Sequence, residues 1–190
     1  MKLLEEKIRR DGKFLPGGVL KVDNFLNHQL DPQLLFEMGK EIQRLFDGCG
    51  VNKILTVESS GIAIAVMAGY AMGCPVVFAK KSKTRNISDN VWRAEVVSFT
   101  HGTTNTVMVS KEYLGAGDRV LIIDDFLATG AALVGLTEVC RQAGAEIVGM
   151  CAAIEKQFQG GGDKMREQGF RVESLAKISS ISDDGRIEFC

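Results

Sequence analysis

Two adjacent carboxylates, Asp124 and Asp125, are followed by the run A-T-G-A-A at Ala128, Thr129, Gly130, Ala131 and Ala132. These are the residues best placed to do chemistry. A turn of small residues leading into a helix presents unpaired backbone N–H groups and the positive end of the helix dipole, and together they make an anion site. The alanines and the glycine let a phosphate approach the backbone, and Thr129 adds a hydroxyl donor. Carboxylates repel phosphate, so Asp124 and Asp125, across the same turn, suit hydroxyls or a metal instead. A phosphate and a diol held side by side describe a ribose 5-phosphate. The plainer alternative is a βα turn with solvated acids and a capping threonine, which would explain a lone Asp-Asp pair better than the whole ordered pattern. The chain contains neither G-x-x-x-x-G-K-[ST] nor G-x-G-x-x-G, the usual triphosphate and dinucleotide motifs.

Positioning these residues calls for strands that end beside them. Val120–Ile123 is an apolar, mostly β-branched run suited to a strand buried on both faces, with the two acids expected at its end. Leu133, Leu136 and Val139 then have helical spacing, and Gly144 is a stop signal. Upstream, Val51–Val57 reads as a strand, Glu58-Ser59-Ser60-Gly61 as a turn, Ile62–Met72 as a helix capped by Gly73, and Val76–Ala79 as the next strand. That is the unit from which parallel sheets are built, and ligands bind at the carboxyl ends of such strands. Glu146–Ile154 is a further strand, ending in Glu155-Lys156-Gln157-Phe158. Residues 160–162 read as a loose turn, Asp163–Gln168 as a short helix, and Phe170–Ile178 as a last strand pair or an edge strand. Two alternating segments, Glu95–Phe99 and Thr106–Ser110, predict a hairpin inserted between parallel strands. At the front, Met1–Arg10 is a short amphipathic helix, Val19–Val22 an apolar run and Asp23–Leu30 a loop. Asp31 and Pro32 open a helix as N-cap and first residue. The expectation is therefore α/β: one domain over residues 1–190, a central mostly parallel sheet flanked by helices, and an N-terminal segment outside the βα rhythm.

The composition narrows the function. A formal net charge of −1 argues against bulk nucleic-acid binding. Cys49, Cys74, Cys140, Cys151 and Cys190 are odd in number and form no C-x-x-C, which reads as reduced thiols in a cytoplasmic protein. No metal-ligand cluster is visible, and His28 and His101 are the only histidines. No apolar stretch approaches a signal core or a membrane span. The basic stretch Lys80–Arg93, with Lys81, Lys83 and Arg85, follows a core strand at the ligand edge. It is either a solvated loop or an electrostatic aid to phosphate binding, with Lys81 best placed.

D-D-F-L-A-T-G-A-A resembles the phosphoribosyl pyrophosphate (PRPP) signature of the type I phosphoribosyltransferases. The resemblance implies that family's fold, with a flap hairpin and a small hood formed by residues 1–35 and part of the C-terminal region over the base site. It assigns Asp124 and Asp125 to the ribose hydroxyls and Ala128–Ala132 to the 5′-phosphate, although Ala131 and Ala132 lack the hydroxyl common in that loop. Glu58, Ser59, Ser60 and Gly61 resemble the pyrophosphate loop, with Lys81 beside it. In the flap, Thr100 stands where adenine enzymes carry a glutamate, so that role is not carried over. Lys156 matches the lysine that donates to O6 of 6-oxopurines; an amine facing adenine's amino group would leave two donors without acceptors. Phe158 is placed to stack on the base. The ordered set Phe14–Asn27, E-S-S-G-I-A-I-A, D-D-F-L-A-T-G and E-K-Q-F resembles the xanthine-using bacterial branch, implicating Leu20 and Asn27 as further base contacts. The implied activity is phosphoribosyl transfer from PRPP to xanthine, with Mg²⁺ carried on PRPP rather than on protein ligands, in a homodimer. Guanine or hypoxanthine as the base, or a PRPP-sensing regulator, are the alternatives.

Overall fold

The computed structural model of the chain describes all residues except 16, 82–89, 99–102 and 183–185. Lys83, Arg85, Phe99, Thr100 and His101, singled out above, lie outside the described residues.

A six-stranded sheet runs through the molecule, with β3 (Lys53–Val57), β4 (Val76–Ala79), β7 (Arg119–Leu127), β8 (Glu146–Lys156), β9 (Val172–Ile181) and β10 (Ile187–Phe189) in the order β10-β9-β8-β7-β3-β4. All neighbours are parallel except β10, which runs antiparallel to β9. The two outer β strands differ from expectation: residues 172–181 form one parallel strand, and the C-terminal tail supplies the edge. Side chains alternate across the sheet. Leu121, Ile123, Cys151 and Ala153 pack with α1 (Lys2–Asp11), α2 (Pro32–Leu45) and α3 (Gly61–Met72) on one face. Val120, Ile122, Met150 and Ala152 pack with α4 (Ala131–Ala143) on the other. This is the expected α/β layering.

Local signals explain the helix ends. The Asp31 carboxylate accepts from the Leu34 N–H at 3.1 Å, with Pro32 at the first helical position, a cap that stabilises α2 by about 1 kcal/mol. Gly73 and Gly144 end α3 and α4 in left-handed conformation.

Two small sheets flank the core. β1 (Lys13–Leu15) and β2 (Val19–Lys21) pair antiparallel in front of α2. The segment read as a loop, Asp23–Leu30, instead contains a π-helical turn at Asp23–Asn27, which buries Phe25 and Leu26 against α2. Those two apolar side chains are what draw a polar stretch into a turn. β5 (Val91–Ser98) and β6 (Thr103–Ser110) form the inserted hairpin, longer than the predicted segments. It lies on α4, where the Gln142 side chain accepts from the Arg93 N–H at 3.2 Å and donates to the Arg93 carbonyl at 2.8 Å. A two-way bridge between Lys80 and Met108 joins the hairpin to the end of β4. Among the described residues no helix is long and apolar enough to cross a membrane.

Candidate active site

Three strand ends converge on one depression. β7 is longer than its apolar run suggests: Asp124 pairs with Ala152, Phe126 with Ile154 and Leu127 with Glu155. The two acids therefore lie within the strand rather than after it, held by the ladder to β8. α4 begins at Ala131, one residue after Gly130, whose φ of +83° is the left-handed turn by which the chain enters the helix.

A cavity of about 420 Å³ is lined by Asp124, Phe126, Leu127, the whole run Ala128–Ala132, Lys81, Gln159 and the hairpin residues Val96 and Val107. A second cavity of about 210 Å³ is lined by Glu58, Ser59, Ser60, Asp125, Lys81, Asp124 and Ala132. The two share Val57, Asp124, Lys81 and Ala132. The structure thus brings the A-T-G-A-A turn, both aspartates, the Glu58–Ser60 turn and Lys81 into one continuous space. Gly61 stands behind the second cavity, where a Cβ would sit 2.3 Å from the Thr56 hydroxyl oxygen and 3.6 Å from an Asp124 carboxylate oxygen. The Thr56 contact excludes a Cβ, so only glycine lets α3 start that close to β3. The Lys81 N–H donates to the Glu58 carboxylate at 2.5 Å, which ties the start of the basic stretch to the Glu58–Ser60 turn.

The electrostatics of the acids are unequal. Asp124 is 5% exposed. Burial, with the adjacent Asp125 charge second, pushes its carboxyl well above the usual carboxylate range; the Lys81 charge opposes this weakly. One Asp124 oxygen accepts the Asp125 N–H at 3.0 Å. Such a carboxyl can donate to or accept from a hydroxyl. Amides along the helix start, a threonine hydroxyl and a lysine surround it, a set that can hold one or two phosphate groups.

The base-side residues gather beyond Phe126. Lys156 is the last residue of β8, not a residue past it. Its ammonium lies 5.7 Å from the Phe126 ring centre and donates to the Gly18 carbonyl at 3.1 Å, so it ties the β1–β2 hairpin to the sheet. Burial lowers its pKa. Phe158 is exposed, close to Gly18. The Asn27 side-chain oxygen is buried and has no hydrogen-bond partner among the described residues. The Leu20 side chain, 6% exposed, is packed into the core cluster with Leu4 and Ile8, which leaves mainly its backbone for a ligand.

Two contributors escaped the sequence reading. Phe126 was read only as part of a signature, although an aromatic beside two acids at a strand end is an available stacking surface. Residues 160–162 are not a loose turn: α5 runs Gly161–Glu167, and the Gly161 N–H donates to the Ala128 carbonyl at 3.0 Å. A Cβ on Gly161 would lie 2.3 Å from that carbonyl oxygen and 2.5 Å from the Gly130 nitrogen. The triple glycine was the visible signal of this close approach.

The phosphoribosyl transferase domain model matches residues 23–180. A xanthine phosphoribosyltransferase of Lactobacillus delbrueckii subsp. bulgaricus is 51% identical over 189 residues, covering 100% of both chains. One of Ligilactobacillus salivarius is 53% identical, covering 100% of this chain and 98% of its own. Among solved structures, the APRTase from Giardia lamblia complexed with 9-deazaadenine superposes with a TM-score of 0.77 at 22% identity, over 90% of this chain and 96% of that one. The adenine phosphoribosyl transferase from Trypanosoma brucei, in complex with AMP, pyrophosphate and ribose-5-phosphate, gives 0.78 at 19% identity, over 96% and 83%. The layered sheet is thus the type I phosphoribosyltransferase fold, and a domain match over most of the length makes this chain a member of the phosphoribosyl transferase domain family.

Proposed function

We propose that the chain transfers the 5-phosphoribosyl group of PRPP to N9 of xanthine, forming xanthosine 5′-monophosphate and pyrophosphate. The observation that carries the reading is the pair of joined cavities with Asp124 and Lys81 at their junction. Relatives named for this activity, more than half identical over essentially the whole chain, support it.

In this reading the Ala128–Ala132 amides and the Thr129 hydroxyl hold the 5′-phosphate, and the Asp124–Asp125 carboxyls hold the ribose hydroxyls. Ser59, Ser60, Gly61 and Lys81 hold the pyrophosphate, with Glu58 fixing the Lys81 backbone. As the bond from C1 to the pyrophosphate oxygen breaks, its electron pair leaves with pyrophosphate and positive charge builds on the ribose. The two carboxyls lie where that charge develops, and the phosphate grip holds C1 in line with N9. Val96 and Val107 of the hairpin wall the cavity and limit water at the reacting carbon.

Among the described residues no group of three or more His, Cys, Asp or Glu side chains could cage a metal. Mg²⁺ would be carried on PRPP oxygens, with the Asp124 and Asp125 carboxyls available to help hold it, and it would neutralise charge on the leaving pyrophosphate.

Base choice rests on Lys156, Asn27 and an aromatic pair. Lys156 has three N–H donors and spends one on Gly18, leaving others for a purine O6. The partnerless Asn27 oxygen suits a base edge bearing N–H groups, as xanthine's does. Phe126 and Phe158 supply stacking faces, and the Leu20 backbone completes the hood side. Initial rates with xanthine, guanine, hypoxanthine and adenine, each with PRPP and Mg²⁺, test the reading. Xanthine should be turned over fastest; adenine in first place, or no pyrophosphate release with any base, would refute it.

The reading includes a homodimer. Val66 and Tyr70 on α3 and Phe78 on β4 are exposed, and β4 is an open sheet edge. Light scattering should give twice the chain mass, and Tyr70→Glu should shift it towards the monomer.

A further inference from the structure

Glu155 is fully buried, next to Lys156, and takes no part in the mechanism above. Its two carboxylate oxygens each accept from the Arg166 guanidinium at 2.8 Å, and one also accepts from the Ser174 hydroxyl at 2.5 Å. Lys177 stands 4.0 Å away. Burial would raise the Glu155 pKa, but the Arg166 fork and the Ser174 hydrogen bond outweigh it and the net shift is downward. A buried carboxylate of this kind is held because its partners are complete.

What surrounds the pair links it to both ends of the pocket. Arg166 lies on α5 and also donates to the Val172 carbonyl and to Asp163. Gly162, in the first turn of α5, sits so close to the carboxylate that a Cβ there would lie 2.1 Å from its oxygen. Gly161, one residue earlier, donates to the Ala128 carbonyl and packs against the backbone of residues 128–130. One carboxylate therefore sets the place of α5, and α5 is the back wall of the A-T-G-A-A turn. The same residue anchors the end of β8, from which Lys156 projects.

We propose that Glu155 and Arg166 are positioning residues that hold the phosphate turn and Lys156 in mutual register, so that the 5′-phosphate and the base are gripped at a fixed separation. This rests on the assignment of the turn to a 5′-phosphate. Neither residue touches substrate. The Glu58–Ser60 turn, on the far side of β7, is outside their reach.

Isothermal titration with two probes separates a positioning role from a purely structural one. Ribose 5-phosphate reports the A-T-G-A-A turn, and inorganic pyrophosphate reports the Glu58–Ser60 turn. Glu155→Gln keeps the size but loses the charge that completes the fork; a displacement of the turn approaching 1 Å weakens ribose 5-phosphate by about tenfold or more. Pyrophosphate affinity should stay near wild type, and KM for xanthine should rise with that for PRPP. Arg166→Lys and Ser174→Ala, which keep the buried charge compensated, should show the same selective loss in smaller measure and decide the matter if Glu155→Gln does not fold. Equal losses for both probes, or none for either, would overturn the proposal. Failure of wild-type protein to bind ribose 5-phosphate would instead overturn the assignment of the turn.

Discussion

Gly161→Ala is a sharp test of how the phosphate turn is held. The added Cβ would lie 2.3 Å from the Ala128 carbonyl oxygen, 2.5 Å from the Gly130 nitrogen and 2.5 Å from the Thr129 carbonyl carbon. Ordinary contact begins at 3.4 Å, so the shortfall at the nearest atom is 3.4 − 2.3 = 1.1 Å. All three atoms are backbone, so no side chain can swing aside. Either α5 retreats, breaking the Gly161–Ala128 hydrogen bond of 3.0 Å, or the turn moves into the cavity. A displacement of about 1 Å at a group that positions substrate costs about a hundredfold in rate, or about 2.7 kcal/mol of transition-state stabilisation. The overpacking itself should cost the fold about 1–3 kcal/mol. Gly169→Ala separates the two effects: Gly169 has φ +89° and no atom within 4 Å of a Cβ, so it should lose stability through backbone strain alone. The assay is kcat/KM for PRPP with xanthine saturating, beside thermal melting of both variants. Near-normal kcat/KM in Gly161→Ala, or an equal loss in Gly169→Ala, would refute the argument.

The aspartates should part ways under mutation. Asp125→Asn should cut turnover strongly with little change in melting temperature; near-normal turnover would remove it from the mechanism. Asp124→Asn should also lose activity yet raise the melting temperature of the protein without substrate at neutral pH and above, because it removes a charge that burial disfavours. The sign follows from the raised folded-state pKa: wild-type stability is fullest below the unfolded value near 3.8 and declines as pH climbs through the folded value, a decline the Asn variant should lack in paired melting curves. Lys156→Met should lower kcat/KM for xanthine by about 10–100-fold, the worth of a charged hydrogen bond, and narrow the gap to adenine in the same base panel. Burial pushes the Cys140 thiol up to about 12 and raises Cys151 as well, so a thiol reagent at mild pH should label exposed Cys190 first and those two only after denaturation, as peptide mapping would reveal.

The parallel strands and their helices were legible because their signals are local and agree with one another. Val76–Ala79 is exact, the Asp31–Pro32 start of α2 carries its own cap, and Gly73 and Gly144 end their helices as read. The misreadings share a cause. β7 continues through Asp124 to Leu127, against the low strand propensity of aspartate, because the ladder to β8 holds it there. Gly161 and Gly162 open a helix despite their low helix propensity, because nothing larger fits against Ala128 and Glu155. In both places a tertiary partner decides the conformation; the run of glycines hints at it at 160–162, while the residue types of β7 carry no such hint. The candidate site residues that the two cavities gather stand in short runs of the chain, 58–60 and 124–132, which is why a local pattern could single them out.

The same logic explains why the site's acids sit inside a strand. A carboxylate on a loop would be solvated, ionised and free to turn away from a phosphate. Within β7, flanked by β3 and β8, Asp124 cannot turn away, and its burial keeps the like charge of Asp125 from driving the pair apart. The unliganded protein is thereby left with a carboxyl that is poorly matched to its surroundings until hydroxyls and cationic groups meet it. In the proposed reading a ligand bearing a diol beside phosphates relieves that mismatch through the hydrogen bonds its hydroxyls make to Asp124, so each such contact is worth more than it would be to a solvated carboxylate.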